Sequence, residues 1–546
     1  MGRTVTGPRA SVPARILVAD SFAPEGLEVL RARADVDVQR GLDEEGLART
    51  LAAGRYDALI VRSESRVTSA VLSASPRLRV VARAGVGVDN IDVEAATRHG
   101  VLVLNMPTGN TITTAEHTIA LLCALVRHVP QANAALRAGR WERTPFMGVE
   151  LAGKTLGIVG LGRVGAEVAR RALGLSLHVV AYDPYIAPEV ADRLRVALQP
   201  TLDDVLRQAD ILTLHTSLAD ETRGLIDARA LALLPAGAYV INCARGGIVD
   251  EEALLAALES GHIAGAALDV FVDEPVRDAH HPLISHPRVV ATPHLGAATR
   301  EAQLKVALGT AHEVLAALAG EPVQTAVNAP VAPQGMAETL IPYVALAHTL
   351  GQLAVQWDRG PLTALRVGVS GDLTDLETEP LVASALAGIF STVTAERVNL
   401  VNARLVAEER GVQIEEVRSS AVPEEGYRGA LHVRLQRDDP HWVDLAGTVV
   451  HGQAHLLSIN GYRLDLPLTC GEWLVTRHHD RPGIIGAVGQ LLGDANINIG
   501  FMQLGRDEPH GTALMVVGVD APVPDDVFAR VKALPPIESA RRVRID

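Results

Sequence analysis

Residues 154–173 read KTLGIVGLGRVGAEVARRAL, and this stretch decides the fold. The apolar run TLGIV predicts a short buried strand, and AEVARRAL has the spacing of a helix with one apolar face. Between them Gly160, Gly162 and Gly165 form the pattern G-x-G-x-x-G, and Asp183 follows at the end of the next apolar run, HVVAY. Strand, glycine pattern, helix and acidic residue in this order are typical of a dinucleotide-binding βαβ unit.

Each residue of the pattern has a physical role in such a unit. Gly160 allows a tight turn, Gly162 lets the backbone approach a pyrophosphate, and Gly165 allows close packing of the helix on the strand. The N-terminus of the helix favours the negative charge of the phosphates. Asp183 can accept hydrogen bonds from a ribose and repels a 2′-phosphate, so the sequence predicts NAD rather than NADP as the cofactor.

The alternation of short apolar runs and helical segments extends on both sides of this stretch. RILVAD, DALIVRS and VLVLNMP precede it, and ADILTLHT, AYVINCARG and RVVATPH follow it. Such alternation predicts α/β units with parallel sheets. Because the glycine pattern begins only at residue 160, the earlier series is predicted to be a separate domain. We therefore expect a flavodoxin-like substrate domain over 15–110, completed by 301–327, and a Rossmann-type NAD-binding domain over 111–300.

The rest of the chain does not continue this alternation. The stretch 324–335, QTAVNAPVAPQG, is rich in proline and predicts a linker over 329–335. Residues 328–466 mix helical segments and strands, which predicts an α+β intervening domain. Residues 470–546 predict the order βαββαβ of a ferredoxin-like module. A lone module of this kind leaves a sheet edge and one face to cover, so we expect pairing between subunits.

Composition limits the partners and the location. The 546 residues exceed what one hydrophobic core supports, and the formal net charge of −14 argues against nucleic acid or an anionic membrane as the main partner. Cys123, Cys243 and Cys470 form neither a CxxC pair nor a disulfide framework, which favours the cytoplasm. Residues 1–14 lack an apolar core, so they predict a disordered tail rather than a signal peptide. No apolar run has the length of a membrane span.

Three reactive side chains follow predicted strands of the second α/β series: Arg245 in NCARGGIVDE, Glu274 in DVFVDEP and His294 in PHLGA. The carboxyl ends of parallel strands meet at one edge of a sheet, so the three are expected to converge. Arg245 suits bidentate binding of a carboxylate. His294 suits acceptance of a hydroxyl proton as hydride leaves, and Glu274 would orient the imidazole and stabilise its protonated form. The pattern predicts oxidation of a 2-hydroxy acid.

The motifs GLGRVG, NCARGGIVDE, ALDVFVDEP and ATPHLGAAT, in this order, resemble those of the D-isomer-specific 2-hydroxyacid dehydrogenase family, and the likeness extends over residues 15–546. The resemblance implies that Arg245, Glu274 and His294 are the catalytic triad. It also implies a set of residues around NAD: Arg163, Val164, Asp183, Thr216, Cys243, Asp269 and the loop His294–Ala297, which includes Gly296.

The likeness is to the long members of that family, which oxidise 3-phosphoglycerate at the entry to serine synthesis, and it implies this substrate. Arg62 and Arg83 follow the apolar runs DALIV and RVVA, so they can face the cleft from strand ends. In the family, positions matching Arg62, Arg83 and Asn110 face the substrate. Ser63 and Gly85, next to these arginines, complete the predicted substrate site.

The C-terminal module resembles an ACT domain, a module that binds small amino acids between paired copies. This resemblance implies L-serine as an effector, with Asp480, Asn498 and His478 as the regulatory residues. His478 occupies a position where the family often has an aromatic residue. A homotetramer or homodimer is also implied, with the region of Trp141 and Arg143 bordering a dimer interface.

Two other functions stay open at this point. One is reduction of glyoxylate, hydroxypyruvate or D-lactate within the same family, although those relatives generally lack the C-terminal domains. The other is an NAD-sensing co-repressor that has lost catalysis, against which the intact Arg245, Glu274 and His294 argue. No metal site is predicted.

Overall fold

The computed structural model describes residues 13–278, 280–330, 337–357, 360–420, 427–437, 442–468, 471–508 and 510–545. The predicted tail 1–14 lies outside the described residues as far as residue 12. Cys470 and positions 331–335 of the predicted linker lie outside them as well.

The inner strands of the first α/β series are short and mainly apolar, such as ILV of RILV and all of ALIV, as expected for parallel strands covered on both faces. Its elements are β1 (Arg15–Val18), α1 (Pro24–Arg31), β2 (Asp35–Val38), α2 (Glu44–Gly54), β3 (Ala58–Val61), α3 (Ser69–Ser73), β4 (Val80–Arg83), α4 (Val93–Arg98) and β5 (Leu102–Leu104). The strands pair in parallel in the order β2-β1-β3-β4-β5. This is the flavodoxin-like order, so this part of the predicted fold class is confirmed.

The second α/β series builds a Rossmann-type sheet. Its elements are α5 (Thr111–Val126), α6 (Val129–Arg137), a short 3-10 helix (Thr144–Phe146), β6 (Thr155–Val159), α7 (Arg163–Gly174), β7 (His178–Tyr182), α8 (Pro188–Leu194), β8 (Ala197–Leu198), α9 (Leu202–Leu206), β9 (Ile211–Leu214), α10 (Ala228–Leu233), β10 (Ala238–Asn242), α11 (Glu251–Glu259), β11 (Ile263–Leu268), α12 (Pro282–Ser285) and β12 (Val289–Ala291). The strands pair in parallel in the order β12-β11-β10-β9-β6-β7-β8. This is the doubly wound order 3-2-1-4-5-6 with one further strand, β12, and it confirms the second part of the fold class.

The long helical run before this sheet breaks where proline predicts a bend. α5 ends at Val126, His128 has a φ of +53°, and Pro130 lies in the first turn of α6, where its missing N–H costs no hydrogen bond. α5 and α6 bend by 62° relative to each other. In the described part of the chain no single helix is long and apolar enough to cross a membrane; only this bent pair, taken together, has the length and composition.

After β12 the chain returns to the first sheet. α13 (Arg300–Ala319) packs against α1 and β4, and its Val306, Ala311 and Val314 join the core beneath that sheet. Asn328 then ties the segment to β5, because its side-chain carbonyl accepts the N–H of Val103 at 2.8 Å.

The C-terminal half contains two further sheets. Its elements are α14 (Ala337–Trp357), β13 (Leu362–Gly371), α15 (Glu379–Val393), α16 (Ala403–Glu409), β14 (Gln413–Ser419), β15 (Gly429–Arg437), β16 (Trp442–Val450), β17 (Gln453–Ile459), β18 (Tyr462–Pro467), β19 (Gly471–His479), α17 (Ile484–Asp494), β20 (Ile499–Arg506), β21 (Thr512–Val519), α18 (Asp525–Lys532) and β22 (Ile537–Ile545). The strand orders are β14-β13-β15-β16-β17-β18 and β20-β21-β19-β22. The second order is that of a ferredoxin-like module, so the predicted α+β and βαββαβ folds are confirmed.

The two C-terminal sheets share one hydrophobic core. α17 and α18 cover one face of the last sheet. On its other face Trp473, Val516 and Val543 pack in a single cluster with Leu350 and Leu386 of the intervening domain. The face that a lone module would leave bare is therefore buried within the same chain, and a second subunit is not needed to cover it.

Candidate active site

His294 and Glu274 meet at the carboxyl ends of neighbouring strands. His294 follows β12 with a φ of +54°, and Glu274 follows β11. His294 Nδ1 lies 2.6 Å from Glu274 Oε2, while Glu274 Oε1 accepts the N–H of Phe271 at 3.0 Å. Burial alone would raise the pKa of Glu274, but the hydrogen bonds from His294 and Phe271 outweigh it and lower the pKa. A carboxylate that holds Nδ1 leaves Nε2 as the ring nitrogen that can exchange a proton with a ligand.

Asp269 supports the loop that carries His294. It is 1% exposed, and its two carboxylate oxygens accept the N–H groups of Leu295 at 2.7 Å and Gly296 at 2.8 Å. The hydroxyl of Thr292 donates to the same carboxylate at 2.6 Å. Burial would raise the pKa of Asp269, but hydrogen bonds, including one to His117, lower it overall. These contacts fix the His294–Ala297 backbone from below.

Arg245 follows β10, and its backbone is fixed by Asn242. The Asn242 side chain donates to the carbonyl of Arg245 at 2.8 Å and accepts the N–H of Ala244 at 3.0 Å. A Cβ on Gly246 would lie 1.9 Å from the carbonyl oxygen of Phe271, in the loop that leads to Glu274. Glycine is thus required here because the Arg245 loop packs backbone to backbone against the Glu274 loop.

The glycine pattern forms a turn and an open helix start. Gly160 has a φ of +90°, and a Cβ on Gly165 would lie 2.1 Å from the carbonyl oxygen of Gly160. An added Cβ on Gly162 would meet no described atom within 4 Å, and Gly162 precedes α7 without a side-chain cap. The N–H groups of Arg163 and Val164, in the first turn of α7, thus have no side-chain cap and are available to a bound pyrophosphate.

Asp183 lies at the end of β7, beside this turn. Its carboxylate oxygens accept the N–H of Leu161 at 2.8 Å and of Tyr185 at 2.9 Å. The position is the one from which an acidic side chain reaches the adenosine ribose in a dinucleotide-binding fold. The sequence-predicted Gly160, Gly162, Gly165 and Asp183 therefore come together in one place.

Thr216 and Cys243 lie at the ends of β9 and β10, on the same edge of the sheet. The hydroxyl of Thr216 is buried and has no hydrogen-bond partner among the described residues, so it is open to a polar group of a bound cofactor. Cys243 is buried, and burial raises the pKa of its thiol to about 12, which keeps it protonated. The residues present thus fit a dinucleotide.

Across the cleft, the first domain presents arginines. Arg62 follows β3, and its backbone N–H donates to the buried carboxylate of Asp20 at 2.5 Å. Arg83 ends β4, and its guanidinium lies over Gly85, where a Cβ would approach Arg83 Nη1 to 2.7 Å. Burial, followed by the positive charges of Arg245 and Arg62, lowers the pKa of Arg83 to about 10. Three of the predicted anion-binding residues thus lie within electrostatic reach of one another.

The other two predicted substrate residues lie next to these arginines or at a helix start. Ser63 is exposed beside Arg62. Asn110 immediately precedes α5, and its side chain does not cap that helix, so the amide is available to a ligand.

The predicted regulatory residues do not form one site within the chain. His479 at the end of β19 lies opposite Thr512, whereas Ile499 at the start of β20 lies opposite Val519, seven residues further along β21. The N–H of Asp480 donates to the carbonyl of Gly511, and the carbonyl of Asn498 accepts the N–H of Asp520, nine residues further along, so Asp480 and Asn498 are separated by about 30 Å along the sheet. Asp480 pairs with Arg506 at 3.3 Å, and Asn498 donates to Asp520 at 2.8 Å.

His478 differs from both in being fully buried. Its Nδ1 lies 3.4 Å from the Thr476 hydroxyl, and its Nε2 has no partner among the described residues. Burial lowers its pKa, which keeps the ring neutral.

Sequence reasoning missed four residues that organise this cleft. They are Asp89, Asn90, His117 and Asn242. Asp89 and Asn90 lie in ARAGVGVDN, directly after a strand end, and that position was a usable signal. His117 contacts the side chains of Asp269 and Thr292 from inside a helix, and Asn242 contacts neighbouring backbone from the end of a strand. The sequence offers no distinguishing pattern at either position.

Three family models match successive parts of the chain. Residues 119–296 match the family model described as D-isomer specific 2-hydroxyacid dehydrogenase, NAD binding domain. Residues 339–460 match the D-3-phosphoglycerate dehydrogenase intervening domain, and residues 473–536 match the ACT domain.

Relatives match along almost the whole chain. A D-3-phosphoglycerate dehydrogenase from Bacillus subtilis is 42% identical over 97% of this chain and 99% of its own length. A D-3-phosphoglycerate dehydrogenase from Synechocystis sp. is 40% identical over 98% of this chain and 96% of its own length.

Two solved structures of related enzymes match more than half of the chain. A glyoxylate reductase from Paecilomyes thermophila is 30% identical with a TM-score of 0.54, and it covers 58% of this chain and 98% of its own. A D-lactate dehydrogenase from Aquifex aeolicus, complexed with NAD and lactic acid, is 26% identical with a TM-score of 0.51, and covers 56% of this chain and 96% of its own.

Proposed function

The chain belongs to the D-3-phosphoglycerate dehydrogenases of the D-isomer-specific 2-hydroxyacid dehydrogenase family, and from this membership we propose how its residues carry the reaction. The enzyme oxidises the C2 hydroxyl of 3-phospho-D-glycerate to the ketone of 3-phosphooxypyruvate with NAD, the first step of L-serine biosynthesis. The observation that carries the assignment of roles is the hydrogen-bonded pair His294–Glu274, at the same sheet edge as Arg245.

His294 is the general base. Bound NAD supplies the acceptor for the hydride that leaves C2. His294 Nε2 takes the hydroxyl proton in the same oxidation, because Nδ1 is held by Glu274. The carboxylate of Glu274, ionised at neutral pH, stabilises the imidazolium that forms. The proton and the hydride thus leave the same carbinol group toward different acceptors, and a ketone results.

Arg245 binds the substrate carboxylate, and Arg62 with Arg83 bind the phosphate. A three-carbon acid has its two anionic groups at opposite ends, and the chain offers cations from two domains that face each other. The planar fork of Arg245 suits a carboxylate, and the Arg62–Arg83 pair on the first domain suits a phosphate. Asn110, Ser63 and Gly85 complete this end of the site.

The C-terminal half distinguishes this enzyme from reductases of the same fold. The glyoxylate reductase and D-lactate dehydrogenase structures cover 58% and 56% of this chain with almost all of their own length, so they lack the length for the intervening and ACT domains. The test is a coupled NADH absorbance assay with 3-phospho-D-glycerate, D-lactate and D-glycerate side by side. Oxidation of 3-phospho-D-glycerate well above the other two is expected; equal or greater turnover of D-lactate would reject the assignment, and no turnover at all would favour the NAD-sensing co-repressor.

The ACT domain is proposed to bind L-serine between two copies of the chain. Asp480 and Asn498 lie at opposite ends of one sheet, and among the described residues β20 pairs with β21 alone. A two-fold, antiparallel pairing of β20 with its copy brings the Asp480 end of one subunit to the Asn498 end of the other. A ligand that needs both residues, with His478 behind them, then requires a homodimer or homotetramer.

A second surface supports the homo-oligomer. Trp141 and Met147, which flank the short 3-10 helix, are 74% and 78% exposed, and Arg143 stacks over Trp141 at 5.9 Å. Apolar side chains exposed to this degree in one segment are typical of a surface that another chain covers. We assign it to a second copy of this chain in the cytoplasm.

The regulatory signal has a direct contact through which to reach the active site. Arg397 of the intervening domain donates to the carbonyl of Leu78 at 2.7 Å, and Asn399 donates to the carbonyl of Gly100 at 2.8 Å. Leu78 and Gly100 precede β4 and β5, and β4 ends in Arg83. Since the intervening and ACT sheets share one core, a change in ACT pairing acts on this contact as well as on the linker.

A further inference from the structure

An ion pair crosses the cleft between Asp89 and Arg245. Arg245 Nε donates to Asp89 Oδ2 at 3.0 Å, although the two residues belong to different domains and lie 156 positions apart. A second N–H of the guanidinium, on Nη1, donates to the carbonyl of Ala244 at 2.7 Å. Among the described contacts Nη2 donates to no protein acceptor, so its N–H groups remain available to a ligand.

The backbone beside this pair leaves room for it. A Cβ on Gly87 would lie 2.1 Å from Arg245 Nη2 and 2.6 Å from Asp89 Oδ2. The guanidinium and the carboxylate thus rest directly on the Gly87 backbone, and any larger residue would displace both. The contact is a packed arrangement rather than a chance meeting of two long surface side chains.

The next residue, Asn90, acts in parallel on the other two arginines. Its side-chain carbonyl accepts Arg83 Nε at 3.1 Å, and its amide donates to the carbonyl of Arg62 at 2.6 Å. Adjacent residues of one loop thus contact all three cationic residues that the proposed function assigns to the substrate.

The charges favour the same arrangement. Burial is the main cause of the lowered pKa of Arg83; the positive charges of Arg245 and Arg62 lower it further, and the negative charge of Asp89 acts in the opposite direction. Asp89 therefore reduces the repulsion that would otherwise push Arg245 out of the cleft.

We propose that Asp89 is a positioning residue, which holds Arg245 by Nε across the cleft so that its remaining N–H groups face the substrate carboxylate. Asp89 itself does not touch the substrate. The inference rests on the proposed carboxylate-binding role of Arg245. It differs from the alternative in which Asp89 occupies the place of the substrate carboxylate and has to be displaced.

The two arrangements predict opposite changes in KM. Asp89→Asn keeps the size of the side chain and removes the charge. A positioning role predicts that the KM for 3-phospho-D-glycerate rises by about 10- to 100-fold, which corresponds to the loss of one hydrogen bond between charged groups. Asp89→Glu should recover part of the lost affinity for the substrate, because the carboxylate is half exposed and can still reach Nε.

NADH affinity, measured by fluorescence, should be unchanged in both variants. Glu94→Gln, which removes a charge from the neighbouring α4 without touching Arg245, should behave as wild type. A KM that falls in Asp89→Asn, or that stays at the wild-type value, overturns the proposal.

A parallel arm with Arg245→Lys separates this inference from the proposed function. If Arg245→Lys leaves KM unchanged, the carboxylate clamp fails; if it raises KM while Asp89→Asn does not, only the positioning role fails. In the double variant the effects should be far from additive, since Asp89 acts through the group that Arg245→Lys removes. Additive effects would place the action of Asp89 elsewhere and overturn the proposal.

Discussion

His294 and Glu274 are joined by a 2.6 Å contact between Nδ1 and Oε2, and the second oxygen of the same carboxylate accepts the N–H of Phe271. The imidazole is therefore held in one orientation by a carboxylate that is itself fixed to the backbone. Hydrogen bonds to both oxygens lower the pKa of Glu274 against the effect of burial, which favours the charged carboxylate.

Glu274→Gln should move the acidic limb of the kcat/KM profile to lower pH. The base must be neutral to take the hydroxyl proton, and a neighbouring negative charge favours the protonated ring. Removing that charge lets the neutral ring persist at lower pH, although kcat itself falls. His294→Asn, which removes the base, should lower kcat by about 10²- to 10⁴-fold. Profiles of initial rate against pH measure both.

Glu251→Gln is the matched control for this profile. Glu251 Oε1 accepts the N–H of Val272 at 2.8 Å, so it holds the same loop with the same charge but does not contact His294. Its acidic limb should coincide with that of the wild type. An equal shift in both variants would mean that Glu274 acts as a loop anchor alone.

Asp183 should set the preference for NAD over NADP. Its carboxylate lies where a 2′-phosphate would meet like charge, so kcat/KM with NADP should be far below that with NAD. Asp183→Asn removes the charge and keeps an acceptor for one of the two backbone N–H groups, of Leu161 or Tyr185, and it should narrow the gap by about 10- to 100-fold. Asp192→Asn, on the exposed side of the nearby α8, should leave the ratio unchanged. A wild-type enzyme that uses both cofactors equally would refute the assignment.

The residues that sequence patterns predict well are those set by short-range geometry. The glycine turn is read from spacing because Gly160 and Gly165 contact each other within one βα connection. Arg245, Glu274 and His294 are read from strand ends, because parallel strands end at a common edge. The α/β and ferredoxin-like folds follow for the same reason, since each depends on the order of neighbouring elements.

What the sequence did not predict depends on contacts between distant segments. No sequence pattern near Asp89 indicates that it contacts Arg245, 156 residues away. Likewise, no pattern in β19 indicates that Trp473 packs against the intervening domain. The separation of Asp480 from Asn498 follows only from strand register, because both lie at the ends of strands that pair with β21 from opposite sides.

Asp269→Asn should lower the thermal unfolding temperature by several degrees and make it less dependent on pH in acid. Both carboxylate oxygens accept N–H or O–H donors, so an amide NH₂ in either position faces a donor and leaves it unpaired, at a cost of about 1–3 kcal/mol. Because the pKa of Asp269 is lowered in the fold, its contribution is complete above about pH 4, the unfolded value, and is lost as pH falls through the lower folded value.

Calorimetric scans between pH 7 and pH 3 measure this dependence. Asp210→Asn is a suitable comparison variant. Among the described contacts the Asp210 carboxylate accepts a single backbone N–H, that of Thr155, far from the His294 loop. If Asp269→Asn matched the wild type in both unfolding temperature and acid dependence, the carboxylate would be free of the loop and available for the cofactor contact that the family resemblance implies.

Serine inhibition should depend on the contact between the C-terminal half and the first domain. In full-length enzyme, L-serine is expected to inhibit, and Asp480→Ala to weaken the inhibition. A chain that ends at Asn328, which retains the Asn328 bond to β5, should be active and insensitive to serine. Arg397→Ala removes the bond to Leu78 but leaves the serine site in place. The variant should therefore still bind serine, as measured by calorimetry, but lose inhibition, as measured by the reaction rate.

Arg410→Ala is the control variant and should retain inhibition, because Arg410 pairs with Glu396 and stacks on Phe390 within the intervening domain. Serine binding with full inhibition in Arg397→Ala would assign the coupling to the linker instead, and a full-length enzyme that does not bind serine would leave the ACT domain as a structural part of the oligomer.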